Sequence, residues 1–304
     1  MKTGGSNYIT INGTMENPAI GTFHLFPEVV ASDLRSMFEH GQRKISLFCW
    51  FMPITWPVEN HQWHHSIDSS GGMMWDQHQA NVVGLINLIR ETGFNELHFR
   101  FGAQGDKAMD SEWTVWNAAQ FNENWNFVNS VRNLVDANKG DLKVVFDLAA
   151  EHARMELGTS EIQRLYCRRM WRLYTEAHGP DDCCAFSIIH GGAGLGNMLR
   201  LFRNGNPRLP DPGCYFLDSY GFEYSALTGA APILEAAGEI AKPVYMQETY
   251  YNDATSYADI KRALAETDLN FQCIFQWNVI RDAPDPHVFP DVFPKRFDNY
   301  LVEI

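Results

Sequence analysis

Short apolar runs alternate with segments of helical period along most of this 304-residue chain. Each run is rich in β-branched or aromatic residues, which favours a strand, and the alternation with helices is typical of a parallel sheet built from βα units. The eight runs are IGTFHLF from Ile20, KISLFCWFM from Lys44, NELHFRFGA from Asn95, LKVVFDLAA from Leu142, CCAFSIIHG from Cys183, CYFLDSYGF from Cys214, KPVYMQETY from Lys242 and FQCIFQWNV from Phe271.

The segments between the runs carry the signals that begin and end helices. Ser160 with Gln163, and Ser256 with Asp259, match or resemble the capping box that opens a helix. Apolar positions at helical spacing precede a glycine in two segments, Val82, Ile86 and Ile89 before Gly93, and Trp125, Val128, Val131 and Val135 before Gly140.

Eight strands with intervening helices predict an α/β fold, a closed (β/α)₈ TIM barrel formed as a single catalytic domain over residues 1–304. An open doubly wound sheet is the alternative, because a strand count does not prove closure. Two long polar stretches, 53–75 and 103–121, follow the second and third runs. Since the loops after barrel strands line the active face, functional residues are expected there and at the carboxyl ends of strands.

Charge and composition narrow the classes of partner. The chain has 24 Lys and Arg against 37 Asp and Glu, a net charge of -13, which disfavours nucleic acid and anionic membrane surfaces. The start of this sequence has no apolar signal region, so a cytoplasmic location is expected for it, or a secreted one if a signal has been removed. The six cysteines form no C-x-x-C pair and are expected to be buried and reduced. The oligomeric state is left open.

Three residues at strand ends are the first candidates for chemistry. Glu248 closes the run VYMQE, so in a barrel its carboxylate would project from the seventh strand toward the mouth. Tyr220 ends the sixth run and Trp277 the eighth, which would place them on either side of Glu248. The alternative is that Glu248 is an ordinary polar residue at a strand end.

Residues 214–282 resemble the C-terminal part of the retaining glycoside hydrolases of clan A, a superfamily of (β/α)₈ barrels. The similarity lies in KPVYMQET, which matches a K-P-x-x-x-x-E-T pattern, in DSYGF before it and in FQWN after it. The resemblance implies Glu248 as the catalytic nucleophile, Tyr220 as an aromatic beside it and Trp277 as a floor for the sugar. It also implies a carbohydrate substrate and no cofactor.

The first half departs from that family's pattern. There the acid/base glutamate ends the fourth strand after an asparagine, whereas here the fourth run ends LAAEHAR and offers Glu151 without the asparagine. A retaining hydrolase needs two carboxyl groups roughly 5 to 5.5 Å apart, and about 6.5 to 9.5 Å would indicate inversion. Because strands four and seven face one another across a barrel, Glu151 is predicted to be the acid/base, the alternative being a loop or capping residue.

Arg100 and His190 are the next candidates for substrate binding. Arg100 ends the third strand, where it would orient a carboxylate or a sugar hydroxyl, or pair with a structural acid such as Asp147. His190 ends the fifth strand and is expected to contact the nucleophile or the substrate. A rival strand count omits the first run, which would put His190 where the acid/base glutamate belongs.

Aromatic residues in the two long loops suit a carbohydrate cleft, since flat apolar faces stack against pyranose C–H groups. We name Trp56 and Trp113 as substrate-binding candidates, with Trp63 and Trp116 in the same loops, and packing of the loops as the alternative. Asp218, inside the sixth run, is interpreted as a satisfied interior carboxylate in preference to a lining residue.

Two further motifs, a histidine cluster and a glycine-rich run, are not assigned a function. His61, His64 and His65 are dense but lack the helical H-E-x-x-H spacing, so no metal is predicted. HGGAGLGN lacks the spacing of either glycine-rich phosphate motif. The sequence therefore favours a retaining glycosidase acting on an oligo- or polysaccharide. The alternatives are a catalytically degenerate carbohydrate-binding barrel and a metal-dependent barrel hydrolase or isomerase.

Overall fold

Eight parallel strands form a ring in the part of the chain that the structure describes. The computed structural model describes residues 4–8, 10–11, 14–53, 67–277 and 279–281, and of residues 10–11 and 14–17 the backbone alone. The ring strands are β1 (Gly5–Asn7), β2 (Lys44–Met52), β3 (Glu96–Ala103), β4 (Lys143–Asp147), β5 (Ile188–Ile189), β6 (Tyr215–Asp218), β7 (Val244–Glu248) and β8 (Phe271–Gln276).

A helix follows each of the first seven strands. These helices are α1 (Pro27–Glu39), α2 (Asp76–Thr92), α3 (Ala118–Asn138), α4 (Glu161–His178), α5 (Gly192–Arg203), α6 (Glu223–Ala237) and α7 (Ala254–Ala265). Shorter pieces are the helical turns Ala19–Thr22, Phe23–Leu25, Ser70–Gly72, Gly105–Lys107, Met109–Glu112 and Met155–Gly158, an antiparallel pair Thr10–Ile11 and Thr14–Pro18, and Ile67–Asp68 beside the end of β2.

The ring is closed, which confirms the barrel and excludes the open sheet. β1 pairs in parallel with both β2 and β8, and the remaining neighbours pair in order from β2 to β4 and from β5 to β8. Parallel bridges from Phe146 to Cys183 and from Ala153 to Ile188 join β4 to the segment that contains β5. The extent of the domain over all of 1–304 stays a prediction.

The first predicted strand was wrong. The run from Ile20 forms the helical turns Ala19–Thr22 and Phe23–Leu25, and the side-chain amide of Asn81 on α2 binds the carbonyl oxygens of Ile20 and Gly21 at 2.9 and 3.3 Å. These carbonyls are thus satisfied by a helix side chain, without a neighbouring strand. The polar segment Gly5–Asn7 supplies the first strand, where a Cβ on Gly5 would lie 2.7 Å from the Phe275 ring.

The strand count therefore stays at eight, although one strand was misplaced. The segment that ends at His190 remains fifth, so the rival count that moves it to fourth place is wrong. The capping prediction holds at α4, where Ser160 accepts from the N–H of Gln163. At α7 the cap is Asp253, which accepts from the N–H of Ser256, and the predicted box from Ser256 to Asp259 is wrong.

Two layers of side chains fill the molecule. The larger core lies between strands and helices, and a smaller cluster of Val145, Cys184, Cys214, Phe216, Tyr245, Cys273 and Phe275 fills the barrel. All six cysteines are buried and free, as predicted. Among the described residues, no helix combines the length and apolar character needed to cross a bilayer.

Candidate active site

Arg100 organises the mouth of the barrel. It projects from β3, is fully buried, and donates from Nε to Asp147 Oδ2 at 3.0 Å and from Nη1 to Glu248 Oε1 at 2.5 Å. Its Nη2 donates to Asp218 Oδ2 at 2.8 Å and to Ser187 Oγ at 2.9 Å. The guanidinium thus joins side chains from β4, β6, β7 and the segment before β5. The sequence offered two hypotheses for Arg100, that it orients a carboxylate or that it pairs with Asp147, and the structure shows both contacts.

Glu248 reaches the barrel interior through an irregularity at the end of β7. The side chain of Gln247 already points inward, because its Oε1 lies 2.6 Å from the ring of His98, so strict alternation would turn Glu248 outward. The register of β7 against β6 shifts between Met246 and Glu248, and such bulges re-aim side chains near active sites. Tyr220 donates to Glu248 Oε2 at 2.9 Å, so both carboxylate oxygens accept hydrogen bonds.

Glu151 occupies a different environment in the turn after β4. Its backbone has a φ of 60°, a left-handed conformation that is uncommon for a residue other than glycine, and its N–H donates to Ser187 Oγ at 2.7 Å. Its side chain is partly buried and lies 3.9 Å from Arg154. Burial, followed by the negative charge of Glu248, raises the pKa of Glu151 to about 7. At neutral pH this carboxyl group is therefore able both to donate and to accept a proton.

Glu151, Asp218 and Glu248 approach one another closely. One oxygen from each can be chosen so that all three lie within 4.8 Å of one another, a spacing also compatible with metal ligation. Arg100, however, donates to two of these three carboxylates and already supplies positive charge there. We therefore assign no metal to this group.

Asp218 is buried at the end of β6, as the interpretation of an interior carboxylate requires. Its Oδ2 accepts from Arg100, but its Oδ1 has no hydrogen-bond partner among the described residues. Only one of its two oxygens is therefore visibly satisfied.

Aromatic rings form one wall of the mouth. Trp277 is 8% exposed and contacts Phe48 and Trp50 of β2 at ring separations of 5.1 and 6.2 Å. The Phe48 ring also lies 4.4 Å from the guanidinium carbon of Arg100. Tyr220 packs against the same cluster, so the structure brings Tyr220, Trp277, Arg100 and Glu248 together.

The remaining candidates lie elsewhere. His190 is exposed at the rim, 5.3 Å from the Phe222 ring. Trp113 packs against Trp116 and Tyr166 and donates from Nε1 to the Asp106 carbonyl at 2.8 Å, contacts that serve loop packing. Trp56, Trp63 and the histidines at 61, 64 and 65 lie outside the described residues.

Sequence reasoning missed Ser187, Phe48 and Trp50. The last two carried a usable signal, because Ser46, Phe48 and Trp50 alternate along β2 and therefore share the inward face. Trp50 lies opposite Gly102 of β3, where a Cβ would be 2.5 Å from its ring. Ser187 had no such signal, since it precedes a two-residue strand in a segment that leaves the regular ladder.

Comparison with known proteins gives results at the level of structure. No family model and no curated protein sequence matches the chain. An exo-β-1,4-mannosidase from Opitutaceae bacterium strain TAV5 is similar, with a TM-score of 0.58 and 15% identity over 94% of this chain. The chain spans about half of that protein, 53% of its length.

Two further structures show the same likeness. A GH5_18 protein from Streptomyces cattleya in complex with Manβ1-4GlcNAc has a TM-score of 0.60 and 13% identity over 96% of this chain and 74% of its own. An endo-1,4-β-mannanase from Rhizomucor miehei has a TM-score of 0.50 and 12% identity over 95% and 89%. At these identities the likeness shows the fold alone. The chain thus has the fold of the (β/α)₈ glycoside-hydrolase barrels that its sequence resembles.

Proposed function

We propose that this protein is a retaining glycoside hydrolase acting on an oligo- or polysaccharide. In this proposal Glu248 is the nucleophile, Glu151 is the acid/base, and Trp277 is the platform for the sugar. The observation that carries it is the pairing of two glutamates in unlike environments at the carboxyl ends of strands four and seven.

The spacing of the two carboxyl groups supports retention. Oxygens of Glu151 and Glu248 approach within 4.8 Å, which fits the roughly 5 to 5.5 Å of retaining enzymes better than the wider gap of inverting ones. The hydrogen bonds from Arg100 and Tyr220 stabilise an ionised Glu248. Burial and the charge of Glu248 keep a proton on Glu151 up to neutral pH.

The mechanism follows from these assignments. Glu151 gives its proton to the glycosidic oxygen while a Glu248 oxygen attacks the anomeric carbon, and the leaving sugar departs. Glu151, now ionised, takes a proton from water, whose oxygen displaces Glu248 from the anomeric carbon. Both steps pass through positively charged transition states that the carboxylate of Glu248 stabilises. No step requires a cofactor.

A neutral β-linked mannoside is the first substrate to test. Two similar structures are a mannosidase and a mannanase, and a third holds Manβ1-4GlcNAc. An anionic sugar is disfavoured because Arg100, the buried cation among the described residues of this mouth, is already engaged by three carboxylates. The net charge of -13 acts in the same direction.

The test is turnover of aryl β-glycosides, β-1,4-mannan and other polysaccharides by the wild type, Glu248→Gln and Glu151→Gln. We expect losses of about 10⁴-fold for Glu248→Gln and about 10²–10⁴-fold for Glu151→Gln. Azide should restore Glu248→Ala and Glu151→Ala with glycosyl azides of opposite anomeric configuration. Glu156→Gln is the matched control, since Glu156 is exposed in the loop after Glu151.

Two outcomes would contradict the proposal. If Glu151→Gln were as active as the wild type, the acid/base would lie elsewhere. If saccharides bound without turnover, the chain would be a carbohydrate-binding barrel. The alanine that precedes Glu151 favours that second candidate, because the resembled family places an asparagine there.

A further inference from the structure

In the described part of the barrel mouth, the acidic groups outnumber the buried cation, Arg100, that contacts them. Arg100 is fully buried and contacts Asp147, Asp218 and Glu248, while Glu151 lies within 4.8 Å of the last two. A second cation, Arg154, lies 3.9 Å from Glu151 and is shared with Asp110 at 3.2 Å. If all four acids were ionised, two or more buried negative charges would have no counterion.

Burying an unpaired carboxylate is unfavourable enough that the group usually takes up a proton. Asp147 accepts from Arg100 Nε and from the N–H of Ser187, and Glu248 accepts from Arg100 Nη1 and Tyr220. Each of these two acids therefore has a donor on both oxygens. Asp218 differs, because its Oδ1 has no partner among the described residues.

We propose that Asp218 is a neutral carboxylic acid in the working site and a positioning residue for the reaction. Its carbonyl oxygen, Oδ2, anchors Nη2 of Arg100, and its proton resides on the otherwise unpartnered Oδ1. The guanidinium charge then stabilises Asp147 and Glu248. This inference deepens the proposed function and rests on it for its kinetic part, whereas the protonation state of Asp218 is independent of any activity.

The electrostatics of every neighbouring element agree with this assignment. Burial raises the pKa of Asp218 well above its ordinary value, and the charges of Glu248 and Glu151 raise it further, against the lowering effect of Arg100 and of a hydrogen bond from Ser187. Tyr220, the other titratable group beside Glu248, also has a raised pKa, through burial and then Glu248, and stays neutral. With Asp218 uncharged, the proton affinity of Glu151 is set chiefly by burial and by Glu248.

Infrared difference spectroscopy tests the protonation state without requiring turnover. Glu151→Gln and the double variant Glu151→Gln with Asp218→Asn are compared at neutral pH, so that Glu151 itself contributes no carboxyl signal. We expect the C=O stretching band of a protonated carboxyl group in the first protein and its loss in the second. If the double variant instead lost only carboxylate bands, Asp218 would be ionised and the inference would be overturned.

Kinetics test the positioning role. In Asp218→Asn a neutral amide replaces a neutral acid, so we expect kcat/KM to fall less than about tenfold and the alkaline limb of its pH profile to move by less than ~0.3 units. An ionised Asp218 would give a different result, because removal of its charge would lower the pKa of Glu151 and move that limb down by about one unit or more.

Asp218→Ala removes the anchor for Arg100, and we expect a further loss of about ten- to a hundredfold in kcat/KM relative to Asp218→Asn. Equal activity of the two variants would overturn the positioning role. If neither the wild type nor any variant turned over a glycoside, the proposed function would fail, while the infrared result would still decide the protonation of Asp218.

Discussion

The two proposed catalytic glutamates differ in what surrounds them. Glu248 is 6% exposed and accepts hydrogen bonds from a guanidinium and a phenol, whereas Glu151 is only partly buried and lies in a left-handed turn. The glutamate at position 248 is thereby stabilised as an anion, and the one at position 151 in its protonated form. Two predictions at the residue scale follow from these contacts.

Tyr220→Phe should lower kcat by about 10- to 100-fold, because it removes one hydrogen bond of charge-assisted strength from the Glu248 carboxylate. The fall is measured with the best substrate of the panel at saturation. Tyr224→Phe is the matched control, since its hydroxyl donates to Glu266 at 2.6 Å on the surface. An unaltered kcat in Tyr220→Phe would show that the hydroxyl of Tyr220 does not contribute to catalysis.

The alkaline limb of kcat/KM should lie near pH 7, where Glu151 titrates. Glu151 must carry a proton to act as an acid, so activity is full below its raised pKa and is lost as pH rises through it. A pH profile of kcat/KM measures this limb in the free enzyme. A limb at pH 5, near the ordinary pKa of a glutamate, would exclude Glu151 as the acid.

At the scale of elements, the site depends on how α5 packs beneath the turn that carries Glu151. Gly194 of α5 lies against the backbone of Ala153, so a Cβ there would meet the Ala153 carbonyl oxygen inside any allowed contact distance. Gly192, two residues earlier in the same helix, has room for a Cβ, whose nearest neighbour would be 3.6 Å away. Alanine substitutions at these two glycines therefore distinguish the effect of packing against Ala153 from the effect of helix propensity.

Gly194→Ala should lower the free energy of unfolding by about 1–3 kcal/mol, because the turn after β4 must move, and should reduce kcat through displacement of Glu151. Urea denaturation and steady-state kinetics measure the two effects. Gly192→Ala should be neutral or stabilising, since alanine is the better helix former. Equal effects of the two substitutions would show that the contact with Ala153 does not position the turn.

At the scale of the whole molecule, the two ends of the barrel have different electrostatic roles. At the mouth, several acids surround Arg100, whereas at the opposite end one buried acid, Glu96, contacts several basic partners. There Glu96 contacts His98 at 2.8 Å, Lys44 at 3.2 Å and Lys143 at 3.3 Å. Because these residues begin strands two to four, this end is expected to serve stability.

Glu96→Gln should destabilise the protein at neutral pH and have a smaller effect in acid. Burial alone would raise the pKa of Glu96, but His98, Lys44 and Lys143 outweigh it and hold the pKa well below the ordinary value. The stabilisation is thus present above the ordinary glutamate pKa and is lost as pH falls below it. Urea midpoints at several pH values, with exposed Glu91→Gln as control, check this. A pH-independent difference would contradict it.

Much of this architecture is determined by local sequence pattern. Alternating runs and helical segments predict the barrel, and the run VYMQE predicts a carboxylate at the end of the seventh strand. The pattern failed at Gly5–Asn7, because a three-residue polar strand buried by its neighbours has no apolar signature of its own. It also failed at Ile20, whose apolar run packs as a turn against Asn81.

The tertiary structure alone decided which side chains of the site contact one another and how strongly each carboxyl group holds a proton. The sequence by itself determined that Glu248 ends a barrel strand, since strand ends follow from local periodicity. It misplaced two other ends, because β3 continues past Arg100 to Ala103 and β6 ends at Asp218, before Tyr220. The bulge that turns Glu248 inward, the left-handed turn at Glu151 and the convergence of several carboxylates on Arg100 depend on contacts between different strands and turns that are far apart in the sequence. Burial and charge in that shared volume set the proton affinities, and neither exists until the barrel has closed.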